Sequence, residues 1–292
     1  MINETFDYVT YLDIKKAIDD RSLNPEVWQT MQDWVNNKGA HANNFRILEI
    51  GAGIGTMIER LLDNFRPQNL SYNAVEPEPG FMPEAKKRLQ RWATANALKF
   101  NEEKEDSWTL SGSNHVYRIN WIVAEAEQLD TLLPANSCDL LIAHAVVDLL
   151  PVPVLMPRLL DKLNCEGAFY LSLNYAGETS FNPEHKDDRS LLQSYNLDMD
   201  KRHQSVAWQA SQTGKMLGPW LREHGHQVLS EGSSDWLLGP EEGDFIENIL
   251  DTINKALQGE KELTSWYRQR CLLLAQKALF LKITNTDYFG LK

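Results

Sequence analysis

Cysteine is scarce in this chain. Cys138, Cys165 and Cys271 are odd in number, far apart and without a C-x-x-C pair, which excludes a disulfide framework and a zinc knuckle and fits a reducing, cytoplasmic interior. Positive charge is also short: 29 Lys and Arg against 41 Asp and Glu leave a net charge of -12, which repels a phosphate backbone unless the cations are segregated. The densest basic stretch, Lys86, Lys87, Arg88 and Arg91, reads as the solvent face of one helix, so neither a nucleic-acid partner nor an anionic membrane surface is expected. Long apolar runs are missing. The most apolar region, 140–156, is broken by His144, Asp148, Pro151 and Pro153, whereas a spanning helix needs about 20 apolar residues. Acids stand where an export leader would carry bases, so no export signal is expected. Only 16 Gly and 12 Pro among 292 residues argue against collagen-like or disordered classes. One folded core is the expectation.

Within that frame, apolar residues recur at spacings of three and four across 6–37, a pattern of two amphipathic helices, the second opened by Asn24-Pro25. Residues 45–50 read as a strand that breaks into glycines and resumes as a helix through Leu62. A second strand ends at Pro77, and a basic amphipathic helix runs on to Ala95. The polar stretch 96–116 reads as a surface excursion. Strands follow over 117–124, 138–143 and 168–173, and strands alternating with helices predict a parallel sheet built by right-handed crossovers. Alternation stops over 175–212, as in a lid or binding loop. It returns as a helix over 213–224, a strand near 227–230, two helices over 243–277 and a last strand over 279–284.

The glycine turn carries the chemistry. Gly51, Gly53 and Gly55 follow a buried strand and precede a helix, so the backbone can approach a ligand closely and aim free N–H groups at it. Thr56 occupies the place of the third glycine in a dinucleotide fingerprint, which argues against NAD or FAD. Glu49 beside the turn is a poor neighbour for a pyrophosphate and a good one for a cationic amino acid. At this point Leu48-Glu49-Ile50-Gly51-Ala52-Gly53-Ile54-Gly55-Thr56 resembles the first motif of the class I S-adenosylmethionine-dependent methyltransferases.

The resemblance spans about 45–174 and implies a doubly wound, seven-stranded, mostly parallel α/β sheet whose last strand is antiparallel. It implies S-adenosyl-L-methionine as cofactor, with its methionine portion on the glycine turn. Glu76, followed by Pro77 at the end of the second strand, would hold the ribose hydroxyls. Glu125, followed by Ala126, would meet the adenine amino group, with Glu127 as the one-step-off alternative. His144 follows the fourth strand, where such sheets place their ligand crevice; it is a candidate general base or a hydrogen-bonded structural residue. Tyr11, Asn174, Tyr175 and Arg202 are candidate substrate contacts. Asp148 reads as a helix cap, and Trp208, Trp220, Trp236 and Trp266 as packing rather than an aromatic cage. No metal is expected: Asp148 and Asn174 alone offer magnesium too few oxygens, and His224-Gly225-His226 reads as a surface turn.

The expected organisation is a helical lid over 1–44, a cofactor-binding core over 45–174, a lid insertion over 175–212 and a completion of the sheet over 213–292. The expected function is methyl transfer to an O or N nucleophile of a small molecule. A non-catalytic S-adenosylmethionine sensor or partner subunit, or a protein methyltransferase, stands as the alternative, with an NAD-dependent oxidoreductase behind them.

Overall fold

The computed structural model describes residues 8–201 and 206–292. In chain order its elements are α1 (Tyr8–Ser22), α2 (Pro25–His41), β1 (Phe45–Ile50), α3 (Thr56–Asn64), β2 (Asn69–Val75), α4 (Met82–Ala95), β3 (Lys99–Lys104), β4 (Ser107–Ser111), β5 (Val116–Ile122), α5 (Leu129–Leu132) and β6 (Cys138–His144). They continue with α6 (Val152–Asp161), β7 (Leu163–Asn182), α7 (Asp188–Asp200), α8 (Thr213–Glu223), β8 (Gln227–Ser233), β9 (Trp236–Leu238), α9 (Gly243–Ala256), α10 (Leu263–Ala275) and β10 (Phe280–Leu291).

One sheet runs through the molecule in the order β3-β4-β5-β2-β1-β6-β7-β10-β8, with β9 paired to β10. The five strands from β5 to β7 are parallel, and β10 runs antiparallel to both β7 and β8. The seven expected strands are present in the doubly wound order. Strand β1 sits at its centre with helices on both faces; five of its six residues are buried, Glu49 among them, and Arg46 at its start is half-buried. One face buries Ile47, Leu70 and Tyr72 against α2, α3 and α4, and the other packs Leu48, Leu141 and Leu171 against α6 and α8.

The structure differs from the sequence reading in three places. The stretch 96–116 is an antiparallel hairpin, β3–β4, that widens the sheet, because Trp108 and Leu110 alternate inward and are fully buried while the charges of β3 face solvent at the edge. The fifth strand does not stop at 173. Its pairing with β6 ends at Ser172; the chain then kinks at Leu173 (φ 55°) and continues beside β10 to Asn182. Much of the expected insertion is therefore strand plus α7. Third, the N-terminal segment divides. Val27, Met31 and Val35 root α2 in the core, whereas α1 lies across the C-terminal ends of the parallel strands. Asn24 caps α2 by accepting from the N–H groups of Glu26 and Val27, both at 3.1 Å.

Candidate functional site

A cavity of about 610 Å³, within the range of small-molecule sites, opens where β1, β2 and β6 end and β7 kinks. Its floor is the glycine turn. Gly51, Gly53 and Gly55 all hold positive φ (69°, 54° and 79°), which L side chains rarely adopt. A Cβ on Gly51 would lie 2.9 Å from Val146, and one on Gly53 would lie 3.4 Å from Leu12 of α1, so the turn is a cradle that side chains would fill. Glu76 ties it to β2: one carboxylate oxygen accepts from Gly53 N–H at 2.8 Å and the other from Glu78 N–H at 3.0 Å. Burial raises the Glu76 pKa; these bonds oppose the shift, and the charges of Glu78 and Glu125 add to it.

Glu49 faces the same cavity from the end of β1, 1% exposed, and accepts from the Tyr72 hydroxyl at 2.7 Å. Burial pushes its pKa up to about 7 against the Tyr72 bond and the Arg60 charge. Ala52, Thr56 and Pro77 also line the wall. Gly55 lies within the turn, where an added Cβ would stand 3.3 Å from Ala85. Glu125 and Ala126 are outside the lining; Glu125 is exposed, yet its charge reaches Glu76.

His144 enters the cavity at the end of β6, and both ring nitrogens are already engaged. Nε2 lies 3.0 Å from Asp19 of α1 and Nδ1 lies 2.8 Å from the Ser172 hydroxyl. Burial raises the Asp19 carboxyl, but the Lys15 charge and the His144 bond outweigh it and bring it down to about 2. Asp19 is therefore ionised, Nε2–H donates to it, and Nδ1 accepts from Ser172. Burial lowers the His144 pKa to about 4 against the pull of Asp19. Neutral and with no lone pair directed at the cavity, His144 has the geometry of a structural residue and lacks that of a general base. Ala145, held at φ 54°, follows it and marks strain at this edge.

Asp19 is the residue that sequence reasoning missed. Besides His144 it accepts from Lys15 at 2.5 Å and from the Trp236 indole N–H at 3.2 Å, and it is 3% exposed. Three elements meet on it. The available signal was a pair of charges, Lys15 and Asp19, sharing with Ile18 the buried face of α1. Asp20 accepts from Arg60 of α3 at 2.6 Å, and Arg21 donates to Glu242 at 2.6 Å, so ion pairs hold α1 down along its C-terminal half.

Of the substrate candidates, Tyr11 and Tyr175 line the cavity. Asn174 does not: fully buried, it donates from Nδ2 to the carbonyls of Leu171 and Thr286, at 3.0 and 2.8 Å, and braces the β7 kink. Arg202 lies outside the described residues. Trp208 and Trp266 are buried packing, whereas Trp236 lines the cavity with the Lys15 ammonium 5.1 Å from its ring centre. Sequence reasoning also passed over Tyr195 and Met199 of α7 and Asn248 and Ile249 of α9, which complete the far wall. Among the described residues no three His, Cys, Asp or Glu side chains converge as a metal site, and no helix is long and apolar enough to cross a membrane.

A doubly wound sheet with the antiparallel strand between its last two neighbours, and a glycine cradle joined to an acid at the end of β2, defines a class I methyltransferase fold. Residues 26–214 match the family described as "Putative S-adenosyl-L-methionine-dependent methyltransferase", and the chain belongs to that family. It is an S-adenosyl-L-methionine-dependent methyltransferase. Among solved structures it is similar to one described as a "putative methyltransferase" from Bacillus halodurans, with 12% identity, a TM-score of 0.51, and 89% of this chain and 98% of that chain covered. It is also similar to the YcgJ protein from Bacillus subtilis, with 14% identity, a TM-score of 0.50, and 90% and 98% covered. At such identities the likeness shows the fold alone. No curated protein matches the sequence. The residues fit the cofactor: the cradle admits close backbone approach, and Glu49 and Glu76 offer carboxylates in the cavity.

Proposed function

We propose that the enzyme methylates an O or N nucleophile of a small molecule held in the same cavity as the cofactor. The observation that carries this reading is continuity: the glycine turn and a chamber walled by Tyr11, Tyr175, Tyr195 and Trp236 line one cavity of about 610 Å³. The helices α1, α7 and α9 bound that chamber, which suits a small guest better than a polymer. The net charge of -12 argues in the same direction against nucleic acid.

Bound S-adenosyl-L-methionine supplies an electrophilic methyl group on a sulfonium. The chain's part is to hold both reactants in line and exclude water. In this reading the cradle at 51–53 and Glu49 receive the amino-acid end of the cofactor. Glu76 keeps lone pairs for the ribose hydroxyls after accepting from two backbone N–H groups, and Glu125 lies towards the adenine. Seated on the strand ends, α1 covers the cradle with Leu12 and carries Tyr11 into the chamber. His144 fixes the end of β6 through Ser172 and Asp19 and takes no proton, so an acceptor reacts through a lone pair it already has.

Turnover of S-adenosyl-L-methionine to S-adenosylhomocysteine across a library of phenols, amines, carboxylic acids, peptides and oligonucleotides tests the proposal. Methylation within the small-molecule set is the expected result. Methylation of peptides or oligonucleotides alone would overturn it.

A further inference from the structure

Resting on that reading, we propose that the methyl acceptor is a small aromatic or heteroaromatic molecule, and that α9 determines which ring is admitted. Helix α9 belongs to a helical pair, α9–α10, inserted between β9 and β10. It supplies Asn248 and Ile249 to the chamber. Its position relative to the lid helix is set by rings: Tyr11 of α1 stacks on Phe245 of α9, with centroids 5.0 Å apart and planes 8° from parallel.

Two further rings of the chamber, Tyr175 and Trp236, are fixed before any ligand arrives. The Tyr175 hydroxyl lies 3.0 Å from both the Thr179 hydroxyl and Asn196 Oδ1. Trp236 is tethered through its indole N–H to Asp19, and its edge meets Phe245 at an interplanar angle of 81°. With their polar ends used inside the protein, these side chains offer ring surface rather than hydrogen bonds, beside the aliphatic Ile249 and Ile283. A rigid aromatic wall favours a flat, polarisable guest, because ring contacts add to apolar burial and little side-chain freedom is lost on binding.

In the transfer step a nitrogen or oxygen lone pair of the acceptor forms the new bond to the methyl carbon. The carbon–sulfur bond breaks with its electron pair retained on sulfur, and any proton on the acceptor atom leaves to water.

The test is calorimetry on the full chain saturated with S-adenosylhomocysteine, using 2-naphthol and its saturated counterpart decahydro-2-naphthol as probes. The flat ring should bind at least about tenfold more tightly than the saturated one. Ile249→Trp, which fills the chamber from α9, should weaken 2-naphthol binding at least about tenfold and leave S-adenosylhomocysteine affinity within about twofold. Equal affinity for the two probes, or no binding of either at intact S-adenosylhomocysteine affinity, overturns the inference; the wild-type comparison requires no variant to fold. Methylation of aliphatic small molecules alone in the library screen would also refute it while leaving the small-molecule reading in place. Methylation of peptides alone would remove that reading instead.

Discussion

Replacing Asp19 by Asn perturbs the meeting point of α1, β6 and β9. Asn keeps the size and one acceptor oxygen, so His144 and Trp236 can retain partial bonds, but the Lys15 ammonium, 8% exposed, loses its counter-ion. Breaking a buried ion pair from one side costs about 3–5 kcal/mol, and the retained acceptor places the expected loss near the lower end, about 3 kcal/mol. For a chain of 292 residues that is a drop of about 5 °C in Tm. Urea unfolding of wild type and Asp19→Asn at neutral pH reads the difference, with an unchanged slope showing that the same surface unfolds. Lys15→Met in the Asp19→Asn background should recover most of the loss, because no unpaired charge then remains. A single variant within about 0.5 kcal/mol of wild type would refute the reasoning, since such a value is ordinary for a surface substitution. Acid titration gives an independent reading. The Asp19 carboxyl lies at about 2 in the fold against an ordinary 3.8, so its contribution of about 2 kcal/mol is complete above pH 4 and disappears as pH falls through 2.

Glu76→Ala should weaken S-adenosylhomocysteine binding by about 1.5–3 kcal/mol, the range of charge-assisted hydrogen bonds; unchanged affinity in calorimetry would place the ribose elsewhere. Glu49 has its pKa raised to about 7 from 4.5, so the folded state holds a proton that the unfolded chain has released. Stability from this group therefore falls as pH rises from 4.5 to 7, by about 3 kcal/mol, and Glu49→Gln should remove that slope from a series of urea titrations. A cationic ammonium beside Glu49 favours its ionised form, so cofactor affinity should rise with pH through about 7 in wild type and lose that rise in Glu49→Gln. His144, at about 4 in the fold against 6.5, is neutral throughout the physiological range. His144→Gln should leave the neutral-pH limb of the turnover profile in place; its disappearance would restore the general-base reading.

The parts of the site legible in the sequence are those made by consecutive residues. The cradle at 51–55 was legible because positive φ on three glycines is a local demand written at fixed spacing after a strand, and Glu76 because strand ends in a parallel sheet fall at regular intervals. The chamber was legible only in part: Tyr11 and Tyr175 were expected beside the substrate, but Tyr195, Trp236 and Ile249 share no sequence pattern with them and meet them only once α1, the β7 kink, α7 and α9 are in place. Asn174 illustrates the same limit: position after the fifth strand suggested a ligand contact, but the bend at Leu173 turns its side chain inward to backbone carbonyls. The hairpin β3–β4 was hidden by the charges of Lys99, Glu102, Glu103 and Lys104, which belong on an exposed edge and obscure the alternation of Trp108 and Leu110 behind them. His144 was placed correctly in the crevice, yet the partner that sets its chemistry stands 125 residues earlier.

The measurement that bears most directly on the cofactor site is calorimetric titration of wild type, Gly53→Ala and Gly53→Val with S-adenosylhomocysteine, with circular dichroism to confirm the fold of each variant. A side chain at Gly53 would stand at φ 54° beside Leu12 and disturb the N–H that Glu76 accepts. The expected result is saturable binding by the wild type, weaker binding by Gly53→Ala and none detectable by folded Gly53→Val. Binding of equal strength in all three folded proteins would contradict it and place the cofactor away from the glycine turn.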